Sequence, residues 1–315
     1  MKIFIKFKFG VVLIKRRVIQ IANSTQLISL PRKWSLKYGV KKGDELEIEE
    51  KDNSLIIQTE KGLSLSRIEI NVKGKEQIIH RLLSSLYRSG FDEINITYEK
   101  SSELELIQST INKELIGFEI VEERRENIII KQVSSIDYSE FNNMLKRVFM
   151  FILSTAEETL EALKKNDENS LNNLVFRDLT INKLTNYCRR SLNKKESSFK
   201  HIGPGYVIIE ILEKISDGYR DLCKYASKNR KEIKGQLVET LAEINILLRD
   251  AQKLFYNFRI DEFGIFLSRK ERLSNSIYNK LKESKKDQNI ILVHLNSIVN
   301  DIFYLNGPLA INGLS

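Results

Sequence analysis

The sequence predicts a multidomain α+β protein, with strands up to about residue 133 and helices from about residue 139. Apolar and polar residues alternate in the first part, which is typical of half-buried strands. In the second part apolar residues recur every three or four positions, which is typical of amphipathic helices. Only three prolines occur in 315 residues, so long uninterrupted helices are permitted.

The N-terminal segment, residues 11–62, has the predicted element order ββαββ. Alternating residues on both sides of Asn23-Ser24 predict a hairpin. Pro31 starts and Gly39 ends a short predicted helix. The stretch GDELEIEEKDNSLIIQ predicts a second hairpin. Four short strands and one short helix bury too little surface to be stable alone, so a partner chain is expected.

The middle segment, residues 64–135, has the predicted order βαβαββ. The strand patterns RIEINV and EINITYE flank an amphipathic helix, KEQIIHRLLSSLYRSG. A second helix, SELELIQSTINKELIG, precedes two further strands. This order predicts two helices on one face of a single sheet. The segment is either a small-molecule sensor or a spacer, and its sequence favours neither.

The C-terminal segment, residues 139–310, predicts only helices. A break is expected at HIGPGY, where Gly-Pro-Gly is typical of a turn. Two sets of three helices, about 139–229 and 230–310, indicate an internal duplication of a three-helix unit. The six predicted helices are 139–166, 168–194, 204–229, 230–257, 262–285 and 287–306.

Positive charge is concentrated at the N-terminus. The chain has a net charge of +9, and residues 1–62 hold 13 basic and 7 acidic residues, a net charge of +6. Residues 63–137 have a net charge of −3, and residues 138–315 have +6 over a much longer stretch. A dense basic segment favours a polyanionic partner. The alternative is a basic surface that only faces solvent.

The segment STQLISLPRKWSLKYGVKKGDELEIEE resembles the swapped-hairpin SpoVT/AbrB DNA-binding family. The resemblance covers about residues 15–60, and it implies that two chains exchange hairpins into one small β-barrel. Similar barrels also serve toxin–antitoxin repressors, and some relatives have lost DNA binding. The residues that carry the resemblance are Ser29-Leu30-Pro31, Arg32-Lys33-Trp34, Gly39 and Lys42-Gly43-Asp44.

This resemblance implies a DNA-binding surface made of five basic residues. Lysine and arginine neutralise phosphates, and an arginine can contact a guanine edge bidentately. Cations near a helix N-terminus oppose the helix dipole, so a purely structural reason for the two that open the helix is weak. The alternative is that they only keep the helix start soluble. The predicted DNA contacts are Lys15, Arg16, Arg17, Arg32 and Lys33.

The helical region resembles the PhoU family, a tandem pair of three-helix bundles linked to control of phosphate uptake. The motif that carries the resemblance is Leu212-Glu213-Lys214-Ile215-Ser216-Asp217, similar to the family's E-x-x-x-D helix pattern. With Glu210 and Asp221, its two acids share one helix face, as a carboxylate metal site in a bundle requires. Oxygen ligands suit divalent metals or iron. The candidate metal ligands are therefore Glu213, Asp217 and Asp221.

The chain departs from the family pattern where further carboxylates are expected. Asn296 and Asn300 replace both acids in the second unit, and Thr180 and Asn182 stand where the family usually has acids. Two carboxylates from one helix hold a divalent cation poorly. The alternative is that they pair with Lys or Arg across the bundle, and that Asp221 is a surface residue.

The two resemblances together imply a function. The combination of both domains in one chain is found in archaeal phosphate-uptake regulators. It implies a cytoplasmic homodimer that binds DNA through its barrel, while the helical region senses phosphate status through a partner or ligand. One alternative is an adaptor that docks on a phosphate transporter subunit or signalling protein and uses the barrel only to dimerise. Another is a metal-storing or metal-sensing bundle.

Catalytic and membrane functions are not expected from the sequence. The motifs G-x-x-x-x-G-K-[ST], G-x-G-x-x-G, H-E-x-x-H and G-x-S-x-G are absent, so no enzyme is predicted. No stretch approaches the roughly 20 apolar residues of a membrane span. Cys188 and Cys223 form no C-x-x-C pair, which favours a reducing cytoplasm. The apolar run FGVVLI ends in basic residues, which favours an extra strand or a basic arm over a secretory signal.

Overall fold

The computed structural model describes residues 14–21, 25–51, 54–59, 66–133, 138–194, 197–229, 233, 235–283 and 286–314. The chain divides into two compact units between Ser66 and Arg67. The smaller unit contains short strands and one helix, and the larger contains a sheet layer and a helical region. A mixed α+β chain with a small N-terminal strand domain is therefore confirmed. The finer domain boundaries stay predictions.

The N-terminal unit has the predicted order ββαββ. The two hairpin turns lie outside the described residues. Both hairpins are antiparallel, with Ile19 opposite Leu27 in the first and Leu46 opposite Thr59 in the second. The elements are β1 (Ile19–Ile21), β2 (Thr25–Leu27), α1 (Arg32–Tyr38), β3 (Leu46–Lys51) and β4 (Ser54–Thr59).

Helix α1 is delimited by the two residues that its sequence indicates. Pro31 is the N-cap, with φ −62° and ψ 121°, so the helix begins one residue later than predicted. Gly39 ends it in the left-handed conformation, with φ 65° and ψ 26°, as predicted. After the helix, the Lys41 amide donates to Asp44 Oδ2 at 2.9 Å and closes the turn into β3. Local chemistry thus accounts for where this helix begins and ends.

The sheet layer has the predicted order βαβαββ. Its strands lie in the order β5-β6-β8-β7, with β5 parallel to β6 and the other neighbours antiparallel. Alternate isoleucines, such as Ile94, Ile96, Ile128 and Ile130, are buried in the apolar core of this layer. The elements are β5 (Arg67–Asn71), α2 (Glu76–Arg88), β6 (Glu93–Thr97), α3 (Ser101–Glu114), β7 (Phe118–Arg124) and β8 (Asn127–Gln132).

The described helical region contains two more helices than predicted. The predicted helix 168–194 is divided at Phe176, and a short helix follows Leu305. At Phe176 the amide donates to the Asn173 carbonyl at 3.2 Å, a tightened turn that ends the first piece. The helices are α4 (Tyr138–Lys165), α5 (Glu168–Val175), α6 (Arg177–Asn193), α7 (Ile202–Asn229), α8 (Gln236–Tyr256), α9 (Ile260–Glu283), α10 (Lys286–Tyr304) and α11 (Asn306–Gly313).

The chain does break between α6 and α7, but α7 begins at Ile202, so Gly203-Pro204-Gly205 lies in its first turn and the turn predicted at these three residues is wrong. A proline is tolerated there, since the first amides of a helix have no partner within the helix. Gly205 packs beneath Phe199, whose ring would lie 2.8 Å from a Cβ at that position. The glycine thus serves close packing at the start of the helix.

The long helices share one apolar core. Helices α4, α6 and α7 pack together, as do α8, α9 and α10, and the two sets meet through α4 against α8 and α7 against α10. On α7, a Cβ at Gly218 would lie 2.8 Å from the Ile298 side chain of α10. The absence of a side chain at Gly218 lets these two helices approach closely.

Helix α6 is covered on its other side by the sheet layer, through α2 and α3. This contact carries many polar groups, and Ile116 of the sheet layer also packs against the apolar core of the helices. Its hydrogen bonds run from donors on α6 and on its C-cap, Lys194, to acceptors in the sheet layer. They include Lys183 Nζ to the Asn112 carbonyl (2.8 Å), Asn186 Nδ2 to Glu114 (3.3 Å), Asn193 Nδ2 to the Arg88 carbonyl (2.7 Å) and Lys194 Nζ to Asp92 (2.7 Å).

Arg190 lies at the centre of this contact, and its side chain is fully buried. Its guanidinium donates to Asp92 Oδ1 at 2.7 Å and to the carbonyls of Tyr87 and Phe91 at 2.9 and 2.8 Å. It also lies 5.0 Å from the ring centroids of Tyr87 and Phe118. Arg190 therefore adds several buried hydrogen bonds to those by which Lys183, Asn186, Asn193 and Lys194 join the helical region to the sheet layer.

Candidate functional site

The five predicted DNA contacts are all exposed residues of the N-terminal unit. Lys15, Arg16 and Arg17 precede β1, and Arg32 and Lys33 open α1. No ion pair joins any of the five to another residue in the described part of the chain. Their charge is thus available to a polyanion.

The start of α1 suits a basic surface that contacts a polyanion. Its first turn carries no acidic residue, although acidic residues are the ones that stabilise a helix start. Arg32 and Lys33 therefore interact unfavourably with the helix dipole, and no ion pair within the described residues offsets this cost. On the other side of the helix, Trp34 is half-buried and contacts Tyr38, with ring centroids 5.4 Å apart.

The N-terminal unit leaves much apolar surface exposed. Leu36 is 72% exposed, Ile48 64% and Leu55 63%. Both strands of the first hairpin are exposed throughout. Large apolar side chains that face solvent together mark a surface that another chain covers. The unit therefore has the features of half a domain.

Comparison with known families agrees with this geometry. Residues 19–63 match the family model described as "Antidote-toxin recognition MazE, bacterial antitoxin". The N-terminal domain is of the MazE/AbrB type. The match covers only this part of the chain. No curated protein and no solved structure matches the chain.

The carboxylates of α7 face arginines. Glu213 pairs with Arg189 of α6 and accepts a hydrogen bond from Thr185 Oγ1 at 2.6 Å. Glu210 lies 2.5 Å from the same guanidinium, whose side chain is only 1% exposed. The buried charge of Arg189 is therefore balanced by two acids of the neighbouring helix.

The other two candidate ligands meet a second arginine on their own helix. Arg220 pairs with Asp217, lies 3.0 Å from Asp221 and donates to Asp178 of α6 at 2.8 Å. Asp178 is buried and also accepts from Ser216 Oγ at 2.9 Å. Burial raises the pKa of Asp217, Arg220 lowers it, and Asp178 raises it further, with a net rise above the ordinary 3.8.

The corresponding part of the second helical set is poorer in acids. Helix α10 has Asn296 and Asn300 where α7 has Glu213 and Asp217. The neighbouring Asp301 is largely buried and lies 3.5 Å from Lys214 of α7. This carboxylate links the two helical sets and faces a cation of the chain itself.

These residues do not fit a metal ion as they are arranged. Within the described ranges, no group of three or more His, Cys, Asp or Glu side chains could hold a metal. Glu213 and Asp217 are directed at different guanidinium groups, each of which pairs with one oxygen of its carboxylate. The metal site stays a prediction, and the geometry favours the arginine pairs.

We expect the full chain, purified without chelator, to contain no metal in stoichiometric amount. Each carboxylate would have to exchange a hydrogen-bonded guanidinium for the cation, which costs the pairing of a largely buried arginine. Elemental analysis checks this, with Asp217→Asn as test variant and the exposed Asp261→Asn as control. A stoichiometric metal that Asp217→Asn removes and Asp261→Asn retains would contradict the expectation.

Other reactive groups are buried or structural. Cys188 and Cys223 are fully buried, and burial raises the pKa of the Cys223 thiol to about 11 despite a hydrogen bond with Thr159. A thiol with so high a pKa is a poor nucleophile. None of the helices within the described residues is both long and apolar enough to cross a bilayer.

Three charged residues of the site were not predicted. Arg189 and Arg220 are the partners of the α7 carboxylates, and Asp178 of α6 is a further acceptor for Arg220. A signal for one of them exists in the sequence, since Arg189 and Arg190 interrupt the apolar stretch around Cys188 and Leu192. Charged residues on the buried side of a helix require a partner. The sequence does not reveal which helix supplies it.

Proposed function

We propose that the protein is a dimeric, DNA-binding transcriptional regulator. The observation that supports this is the MazE/AbrB-type domain at residues 19–63, whose flanking and helix-opening cations are exposed and have no described acidic partner. Phosphates of DNA would supply the missing counter-charge. The proposed DNA contacts are Lys15, Arg16, Arg17, Arg32 and Lys33.

Dimerisation through the N-terminal domain is part of the proposal. The exposed Leu36, Ile48 and Leu55 give an apolar surface that a second copy would cover. Exchange of hairpins between two chains, as the resemblance implies, would bury this surface in one barrel. Two copies would also present two sets of cations to a DNA duplex.

The helical region is proposed to respond to phosphate status in the cytoplasm, through a partner or ligand. The support is its resemblance to the PhoU family and the combination with an AbrB-type domain known from archaeal phosphate-uptake regulators. A signal received there would shift the population of dimers that bind DNA. No catalytic step is proposed, because the cysteines are buried and the carboxylates are paired with arginines.

DNA binding is tested by a mobility shift with the upstream DNA of the protein's own gene across a salt series. Replacing Arg16, Arg17, Arg32 and Lys33 with alanine should abolish the shift and flatten the dependence of affinity on salt, because phosphate contacts are lost. A control variant loses equal charge at exposed positions of the helical region, and it should bind normally. Its substitutions are Lys146→Ala, Lys165→Ala, Lys253→Ala and Arg272→Ala. Unchanged binding by the first variant would refute the proposal.

A second candidate is an adaptor in which the N-terminal domain serves dimerisation or recognition of a protein. It is favoured by the matching family's description, which names recognition of a toxin. This candidate predicts only weak, sequence-blind DNA binding. It also predicts co-purification with a protein partner, such as a phosphate transporter subunit or a signalling protein.

A further inference from the structure

The β5 edge of the four-stranded sheet is open in the described part of the chain, where β5 has a neighbour on one side only. The opposite edge, β7, is protected by an irregularity between Ile120 and Glu122 and by several glutamates. Strand β5 carries no bulge, proline or lysine. Its sequence, RIEIN, alternates exposed polar residues with half-buried isoleucines. Such an edge is suited to pairing with another strand.

The backbone direction shows which residues would pair. The Val72 amide donates to the Thr97 carbonyl at 2.9 Å, so the amides at Ile68 and Ile70 also face β6. The backbone amides of Arg67 and Glu69 therefore face away from β6, toward the open edge. The Asn71 carbonyl, which faces the same way, already accepts from Lys75 Nζ at 2.9 Å. Arg67 and Glu69 thus carry the open part of the edge.

Charges alternate across the uncovered face of the sheet. One row of directly opposite residues runs Glu119, Lys131, Glu93, Arg67 from β7 to β5. Glu93 lies 3.3 Å from Arg67 and 3.9 Å from Lys131. The row ends in a positive charge at the open edge. A negative residue opposite Arg67 would continue the alternation.

We propose that β5 pairs antiparallel with β5 of a second copy, with Ile68 on the twofold axis. Residues whose amides face outward must lie opposite each other, which leaves registers centred on Arg67, Ile68 or Glu69. Centring on Arg67 would place two arginines directly opposite, and centring on Glu69 would place two glutamates directly opposite, both of which are unfavourable. Centring on Ile68 places Arg67 opposite Glu69 of the second copy in both symmetric pairs.

This pairing makes one eight-stranded sheet from two copies, by addition of strands at an edge. It goes beyond the proposed function, since it needs neither DNA nor a phosphate signal. Only seven residues separate Thr59 of β4 from Arg67 of β5. If the N-terminal domains also dimerise, they would raise the effective concentration of one β5 near the other.

The register is tested by disulfide formation in the full chain. In the proposed pairing the Cα atoms of the two Ile68 residues lie about 4.5 Å apart, whereas those of the two Glu69 residues are diagonal, roughly 7–8 Å apart. Under mild oxidation, Ile68→Cys should therefore form covalent dimers, and Glu69→Cys should form few. The parent chain, whose two cysteines are buried, should form none. The reverse preference, or no dimers with either variant, would overturn the proposal.

The charge pattern is tested in the Ile68→Cys background. Glu69→Lys places two positive charges opposite each other in both pairs, so the rate of disulfide formation should fall about tenfold. Glu69→Gln should have a smaller effect. Glu105→Lys, an equal charge reversal at an exposed position of α3, should have none. Equal rates for Glu69→Lys and Glu105→Lys would refute the charge-directed register.

The same variants separate this inference from the proposed function. Circular dichroism confirms that each variant is folded, and the mobility shift measures DNA binding. Absent cross-links with normal DNA binding would overturn only the β5 pairing. Cross-links in a chain that does not bind DNA would overturn only the proposed function.

Discussion

Replacing Arg190 with alanine is expected to lower the free energy of unfolding of the larger unit by about 3–5 kcal/mol. The substitution removes the guanidinium that hydrogen bonds to Asp92 and to the carbonyls of Tyr87 and Phe91, all at a buried contact. Asp92 keeps Lys194 as a donor and the Tyr87 carbonyl keeps the Gly90 amide, whereas the Phe91 carbonyl loses its side-chain donor. The loss of a donor to a buried acceptor costs more than the net gain of an ordinary hydrogen bond. The cation–π contacts with Tyr87 and Phe118 are lost as well.

Urea denaturation followed by circular dichroism measures this loss. The matched control is Arg249→Ala, since Arg249 pairs with Glu157 at 2.7 Å but both side chains are about half exposed. A surface pair of this kind contributes at most about 1 kcal/mol. Arg190→Lys should recover only part of the loss, because one ammonium cannot reach all the acceptors. Equal effects of Arg190→Ala and Arg249→Ala would contradict the role assigned to the buried arginine.

Hydrogen exchange gives a second readout for Arg190→Ala. Since the arginine joins the sheet layer to α6, its loss should increase exchange in α2, α3 and the facing side of α6 more than in α8 and α10. A uniform increase over the larger unit would instead indicate a general loss of stability. The pattern of exchange therefore tests the local role separately from the size of the effect.

Replacing Glu103 with alanine is expected to cost about 2–4 kcal/mol. The Glu103 side chain is buried, and its carboxylate accepts hydrogen bonds from the amides of Gly74, Glu99 and Lys100 at 2.5, 2.7 and 3.0 Å. It thereby holds together the two loops that follow β5 and β6. Glu105→Ala is the control, because Glu105 lies on the same helix and is exposed. Thermal unfolding should show a large effect only for Glu103→Ala.

The same carboxylate should make stability depend on pH in the acid range. Burial acts to raise the pKa of Glu103, but the three backbone hydrogen bonds outweigh it, so the pKa lies below its ordinary 4.5. A lowered pKa means that the stabilisation is present above the unfolded-state pKa and is lost as the pH falls through the folded-state pKa. Glu103→Gln should therefore lose less stability than the parent chain between neutral pH and pH ~3. An identical acid dependence would contradict this assignment.

Elements with local signals could be predicted from the sequence. The α1 boundaries follow from Pro31 and Gly39, whose backbone preferences act within the helix itself. The order of strands and helices in the sheet layer follows from the switch between two-residue and 3.6-residue periodicity. These patterns are properties of short stretches, so no knowledge of distant residues is needed.

Two local predictions failed because packing overrode them. The apolar periodicity of 168–194 continues past Phe176, yet the helix is divided there. Directly after the break, Arg177 pairs with Glu158 of α4, a contact that only the folded bundle supplies. At Gly203-Pro204-Gly205, turn-forming residues lie in the first turn of α7, because that turn tolerates proline and Phe199 packs on Gly205. Local propensity contributes too little free energy to set the local structure where such tertiary contacts favour another one.

The sequence by itself determined the order of the elements and the basic character of the N-terminal domain. The first follows from periodicity within short stretches, and the second from the composition of one segment. Only the tertiary structure decided the partners of the charged residues in the helical region. Glu213 and Asp217 share a helix face, but Glu213 meets Arg189 because of the way α6 packs against α7, and Asp217 meets Arg220 one turn further along its own helix, where Arg220 also reaches Asp178 of α6. Periodicity tells which face of a helix is buried and not which helix covers it. Whether a carboxylate in this bundle can bind a metal or instead pairs with an arginine depends on which helix covers it.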